Sequence, residues 1–198
     1  SVIYPARRLI RKGAELEPDG FLYALKECYP VSAGHFYRRD DRGQIVPGTD
    51  TEEGWTYLTR ARQLQQQEGL VSRDIYKTAS RVLPIRETSE SVLLTLPGKD
   101  GEWVSNTVTV MESLSEKGRS LSSWLREYRR FQPLEALRIL QQLLFALEEV
   151  HRAGYLHLDI QDGNVFLRGA LEDRSELVTL IDFGSARAMD QGKTAPIE

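Results

Sequence analysis

Residues 155–184 read YLHLDIQDGNVFLRGALEDRSELVTLIDFG. Asp159 and Asn164 stand five positions apart in the pattern H-x-D-x-x-x-x-N, and Asp182 follows eighteen residues after Asn164. An apolar run, residues 177–181, leads into Asp182, and Gly184 lies two positions behind it. The stretch offers two carboxylates and one amide, set among two short β-like runs. Such oxygens suit a hard cation, and a carboxylate can also take a proton. Either fragment alone reads equally well as an Asp or Asn in a polar turn between strands. Both together, in this order and with a strand before the second, are far more specific.

The two motifs resemble the catalytic loop and the D-F-G of the eukaryotic-type serine/threonine protein kinase family. Upstream, Tyr23-Ala24-Leu25-Lys26 is similar to that family's V-A-I-K, and the run LKECYP resembles a lysine–glutamate–aromatic–proline run of bacterial members. Residues 108–114, VTVMESL, resemble the strand and hinge. The resemblance implies ATP and Mg²⁺ as cofactors. Asp159 would face the acceptor hydroxyl, and Asn164 and Asp182 would hold Mg²⁺ against the phosphates. Lys26 would grip the α- and β-phosphates, with Ala24 and Phe166 against the nucleotide. Met111 would stand behind the adenine, and backbone groups of Glu112 and Leu114 would bond its edge. His157 would be a packing and hydrogen-bonding residue, not the base.

Departures from the family pattern bear on mechanism. Leu158 stands where H-R-D has arginine, which implies no switch through a phosphate on the activation loop. Gln161 stands where a lysine normally faces the transferred phosphate; glutamine donates a hydrogen bond but carries no charge. No G-x-G-x-x-G precedes Lys26, because Gly13 and Gly20 are wrongly spaced. The glutamate partner of Lys26 stays open. Counting back from the next strand favours Glu68, whereas aligning Tyr57-Leu58 with the family's F-L-x-E-A puts Arg60 in that place.

Composition bounds the rest. The chain has 198 residues, 40% hydrophobic and 28% charged, which suits one or two soluble domains with a real core. A net charge of −3 gives no case for nucleic acid or an anionic membrane as partner. The arginine pairs at 7–8, 38–39 and 129–130 read as solvated faces, and His35 and His151 as ordinary surface residues. One cysteine, Cys28, excludes an internal disulfide and fits a reducing, cytoplasmic compartment. No run reaches the ~18 apolar residues of a membrane span.

Further elements follow from periodicity. Residues 1–9 and 21–27 are strand-like, joined by a polar turn, and residues 29–53 read as an extended loop. Residues 55–68 are helical, with Tyr57, Ala61, Leu64 and Glu68 on one face and Gly69 as the stop. Strands are expected over 81–86 and 91–96, then a glycine-rich turn at 97–101. A short helix carries Leu121, Trp124, Leu125 and Tyr128. A longer one runs from Pro133 to Arg152 with Leu137, Leu140, Leu144 and Leu147 as its core stripe, widened by Leu143 and Val150.

The expected fold is α+β and two-lobed: residues 1–114 with an antiparallel sheet, one helix and the hinge, and residues 115–198 mainly helical. The resemblance covers nearly the whole chain but only the first part of a kinase domain. The tail Ala195-Pro196-Ile197-Glu198 is similar to the A-P-E anchor but comes too soon after Asp182. The expected function is ATP- and Mg²⁺-dependent phosphorylation of serine or threonine hydroxyls on a protein substrate. Two alternatives stay open: a pseudokinase that transfers nothing, and a small-molecule kinase of the aminoglycoside- or choline-kinase type.

Overall fold

A computed structural model describes residues 1–31, 34–89, 92–94, 102–104, 106–115, 118–168 and 178–189. The chain divides into two units, residues 1–70 with 84–114 and residues 71–83 with 115–198. The fold is α+β. The first unit holds β1 (Val2–Ala6), β2 (Leu9–Lys12), β3 (Glu15–Pro18), β4 (Tyr23–Glu27), β5 (Tyr37–Arg39), β6 (Ile45–Pro47), α1 (Glu52–Tyr76), β7 (Ile85–Ser89), β8 (Val92–Leu94), β9 (Glu102–Val104) and β10 (Val108–Glu112). Residues 71–76 of α1 group with the second unit.

Four of these strands make one antiparallel sheet in the order β1-β4-β10-β7. The β-branched run Val108, Thr109 and Val110 suits the pleat of β10, which has neighbours on both edges. In register, Lys26 pairs with Ile3 and Thr109, and Ala24 pairs with Pro5 and Met111. The register with β7 shifts between Val110 and Met111, which leaves Arg86 of β7 as the extra residue of a bulge. Residues 9–18 are more than a turn: β2 and β3 form a two-stranded ribbon. The stretch 29–53 likewise contains the β5–β6 hairpin, whose Tyr37 and Ile45 are buried with Leu58 of α1.

That hairpin is pinned by a buried carboxylate. Glu27 accepts from Arg39 Nη1 at 3.1 Å and Nη2 at 2.7 Å, from Asn106 Nδ2 at 2.7 Å and from Tyr4 Oη at 3.2 Å. Arg39 lies on an exposed face, as expected, yet its guanidinium reaches inward to the buried Glu27. A buried carboxylate needs such donors, and the planar guanidinium meets both of its oxygens. His35 departs from expectation. It is part-buried and stacks on Tyr57 with ring centroids 5.5 Å apart.

Helix α1 corrects two expectations. It does not stop at Gly69 but runs on to Tyr76. A Cβ on Gly69 would lie 2.1 Å from Thr88 Oγ1, so this glycine serves a close approach of helix to β7. The buried face is not 57/61/64/68 either. Tyr57 and Leu64 are exposed, while Leu58, Gln65, Gly69 and Ser72 are buried. Between the buried Leu58 and Ile75 the inward residues are polar or small, so hydrophobic periodicity points one residue astray.

The second unit contains β11 (Gly118–Ser120), α2 (Leu121–Tyr128), α3 (Pro133–Arg152), β12 (Tyr155–Leu156), β13 (Val165–Arg168), β14 (Val178–Leu180) and β15 (Arg187–Ala188). Its sheet order is β11-β13-β14, and β12 pairs separately with β15. Ser120 caps α2 by accepting from Ser123 N at 3.2 Å. Pro133 opens α3, and Glu135 reaches back to Gln132 N at 2.8 Å.

Ile139, Ala146 and Val150 of α3 meet Val165, Leu167, Val178, Leu180 and Phe183 in one core, with Leu143 and Leu147 partly buried against it. The expected leucine stripe is thus displaced: Leu137 and Leu144 are 62% and 56% exposed, and Leu140 is exposed too. The core line runs 139/143/146/150. A helix that is apolar around much of its girth does not announce which line faces inward.

Glu149 clamps the segment before residue 84. It accepts from Ser80 N at 2.7 Å and Arg81 N at 2.9 Å, and pairs with the Arg81 guanidinium. Residues 81–84 are accordingly not strand; Val82 forms a single bridge to Leu180 and β7 starts at Ile85. The turn expected at 97–101 and the tail at 195–198 lie outside the described residues.

Candidate functional site

In the first unit, alternation along β4 sends Lys26 and Glu27 to opposite faces. Lys26 Nζ donates to both oxygens of Glu68, at 2.6 and 2.8 Å. The two side chains are only 15% and 16% exposed. Arg60, on the same helix, is exposed. Gln65, one turn before Glu68 on α1, is buried and donates Nε2 to Lys26 O at 2.8 Å and to Thr107 O at 3.3 Å. Ala24 and Met111 are paired across β4 and β10. After Met111, Glu112 N bonds Pro84 O at 3.1 Å and Ser113 N bonds Leu22 O at 3.1 Å, which fixes the path towards Leu114.

In the second unit, the register of β13 and β14 brings the polar residues together. Val165 pairs with Leu180, and Ile181 N continues the ladder to Asn164 O at 3.0 Å. Asn164 and Asp182 therefore flank the same open end of one hairpin. Asn164, buried, turns Nδ2 to Asp159 O at 3.0 Å and to Asp159 Oδ2 at 2.9 Å. Gln161 Nε2 donates to the same Oδ2 at 3.0 Å. Phe166 lies two residues beyond Asn164 on β13, partly buried and paired with Ser120 and Thr179.

His157 lies beneath this loop. It is buried, its ring is 4.7 Å from that of Phe183, and its Nδ1 accepts from Asp159 N at 3.3 Å. Nε2 then carries the proton, facing Ile181 O at 3.2 Å. Burial pushes the imidazole below its ordinary value, against the opposing pull of the Ile181 carbonyl and the carboxylates of Asp159 and Asp182. A neutral ring that uses both nitrogens to shape the loop is a scaffold element.

Leu158 and Asp182 both have positive φ, 61° and 63°. Residues without glycine's freedom hold such angles where surrounding bonds enforce them, often at functional sites. Here Phe183, buried behind Asp182, and the contact of Gly184 N with Asp182 Oδ1 at 3.3 Å surround the second one.

Residues 101–197 match the family model of the protein kinase domain. The chain contains part of a protein kinase domain. Asp159, Asn164 and Asp182 all fall within the matched residues, whereas Lys26, Gln65 and Glu68 precede them. A probable serine/threonine-protein kinase of Streptomyces coelicolor is 40% identical over 92 residues, covering 46% of this chain and 13% of that protein. A probable serine/threonine-protein kinase of Caenorhabditis elegans is 34% identical over 88 residues, 44% of this chain and 12% of its own. The human hormonally up-regulated neu tumor-associated kinase is 31% identical over 130 residues, 65% of this chain and 15% of its own. The chain thus spans 12% to 15% of the length of these relatives.

Two polar anchors, one beside the Lys26–Glu68 pair and one in the second unit, escape sequence reasoning. Gln65 sits in the run QLQQQE, where nothing distinguishes one glutamine from its neighbours except the i, i+3 relation to Glu68. Glu149 sits in an ordinary polar stretch of α3, and its partners lie sixty-eight and sixty-nine residues away. Among the described residues, no helix is long and apolar enough to cross a membrane.

Proposed function

We propose that this chain carries the nucleotide- and acceptor-handling residues of a serine/threonine protein kinase that uses ATP and Mg²⁺. One observation carries the reading: the Asp159 carboxylate is oriented by Asn164 and Gln161 inside the stretch that matches the kinase family. Asp159 is the group that faces the acceptor hydroxyl and takes its proton. Lys26, held by Glu68, binds the phosphates; Ala24, Phe166 and the backbone of Glu112 and Leu114 bind the base.

The donor set suits Mg²⁺. Asn164, with Nδ2 turned to Asp159, offers Oδ1, and Asp182 offers an exposed carboxylate; both are hard oxygen ligands. Among the described residues, no three His, Cys, Asp or Glu side chains are grouped to hold a metal, so phosphate oxygens would complete the shell. Bound Mg²⁺ neutralises charge on the phosphates.

A second reading has one observation in its favour. Gln161, not a lysine, stands beside Asp159, and its amide supplies no charge to a transferring phosphate. A protein that binds nucleotide without transfer would keep every contact described above.

Single-turnover transfer from γ-labelled ATP to a generic protein substrate by the intact protein separates the two. Wild type should transfer. Asp159→Ala should bind Mg·ATP normally but transfer about 10²–10⁴-fold more slowly, and Asp182→Ala should lose Mg·ATP affinity. Equal transfer by wild type and Asp159→Ala would remove Asp159 from the role.

A further inference from the structure

Gln65 occupies an unusual position. It is a buried amide on the inward face of α1, and it reaches the starts or bodies of three adjacent strands at once. Nε2 donates to Lys26 O in β4 at 2.8 Å, to Thr107 O just before β10 at 3.3 Å, and lies 3.5 Å from Thr109 Oγ1 in β10. Oε1 accepts from Ser1 Oγ, beside β1, at 3.3 Å. One side chain therefore fixes both the height and the rotation of α1 over the sheet at this point.

Its target matters. The carbonyl it grips belongs to Lys26 itself, and Glu68, which grips the Lys26 ammonium, is three residues further along the helix. Residues at i and i+3 share a helix face. A backbone bond from Gln65 and a side-chain bond from Glu68 thus hold one lysine at both ends. Next to position 65 apolar packing adds little registration: the next inward residue in this unit is Gly69, and the buried Leu58 packs two turns away on the β5–β6 hairpin.

We propose that Gln65 is a positioning residue that sets the Lys26–Glu68 pair for nucleotide binding. This rests on the reading of that pair as the phosphate-binding one. A long unbranched apolar side chain at 65 fills the same space but releases the helix from both carbonyls, so Glu68 no longer holds Lys26 at one fixed point.

The test uses the intact protein, with Mg·ATP affinity by calorimetry and melting temperature read side by side. Gln65→Met should weaken Mg·ATP about fivefold to tenfold, the scale of one lost hydrogen bond. In a Glu68→Gln background it should weaken binding no further while lowering the melting temperature by the same amount as in wild type. A purely structural Gln65 gives the opposite result: the same fold-change in affinity in both backgrounds, or none in either. If Gln65→Met folds poorly, Gln65→Asn, one methylene too short to span both strands, takes its place and should give the same two readouts. In the wild type, the Gln65 side-chain amide protons should exchange slowly with solvent; fast exchange overturns the proposal whatever the variants do. If Glu68→Gln leaves affinity unchanged, the pair itself has been misread and the proposal falls with it. If Glu68→Gln weakens binding and Gln65→Met does not, only the role of Gln65 is refuted.

Discussion

Asn164 holds Asp159 twice, through one amide nitrogen: Nδ2 donates to the main-chain oxygen at 3.0 Å and to Oδ2 at 2.9 Å. The side chain is both buried and bonded, so it shapes the loop in addition to its proposed role as a ligand. Asn164→Ala should cost about 1–3 kcal/mol, the range for leaving buried groups unsatisfied. Asn164→Asp should be worse, because it exchanges the donor for a second carboxylate facing the first. Denaturant melts of both variants check this. An alanine variant as stable as wild type contradicts it.

Glu149 makes stability depend on acid. Its carboxyl lies below the ordinary value: burial pushes it up, but the backbone N–H groups of Arg81 and Ser80 and the Arg81 guanidinium together push it further down. Folded pKa below unfolded pKa means that the folded state binds fewer protons, so the stabilisation is complete above the unfolded value of about 4.3. It is lost as pH falls from there through the folded value. The stability gap between wild type and Glu149→Gln should therefore be constant near neutrality and shrink below about pH 4. A gap that does not change across that range rules out this linkage.

How much of this was legible beforehand differs by residue. The spacing of Asp159, Asn164 and Asp182 is readable because one hairpin, β13–β14, carries two of them at its open end, and strand register is a local property. The extent of α3, Pro133–Arg152, is readable for the same reason: proline at the start and glycine past the end are chemical signals within a few residues. Its inward line was not, because Leu137, Leu140 and Leu144 are as apolar as the residues that do face the core. The inward face of α1 was hidden for the opposite reason. Gln65 and Gly69 carry no hydrophobic signal, and what covers them is β4, the start of β10 and β7, distant in sequence. Arg39 is exposed as expected, but its bond to Glu27, twelve residues away, carries no signal in the sequence.

Gly69 gives a sharp test of the close approach between α1 and β7. In an exposed helix, replacing glycine by alanine gains about 1 kcal/mol. Here the added Cβ would meet Thr88 Oγ1 at 2.1 Å and Thr88 Cβ at 3.2 Å. Gly69→Ala should therefore destabilise by about 1–3 kcal/mol, the cost of overpacking. Adding Thr88→Ala removes the hydroxyl and should recover part of that loss. Thermal or urea unfolding of the two single variants and the double variant measures the coupling. An alanine variant more stable than wild type would show that the helix has room to move.

The Lys26–Glu68 pair separates what an ion pair does for stability from what it does for a ligand. Both oxygens of Glu68 meet one ammonium, and little of either side chain reaches solvent. Removing one partner strands the other charge, which costs 3–5 kcal/mol for a fully buried pair. Some solvent access here reduces that to about 1–3 kcal/mol. Lys26→Met and Glu68→Gln should each show such a loss. The exchanged pair, Lys26→Glu with Glu68→Lys, restores opposite charges at the same place and should recover much of the stability. It should not recover Mg·ATP binding, because a carboxylate then stands on β4 where the phosphates need a cation. Melting temperature and nucleotide affinity, measured on the same four proteins, should therefore part company only in the exchanged pair. If affinity returns along with stability, the pair acts through the fold alone and Lys26 does not touch the phosphates.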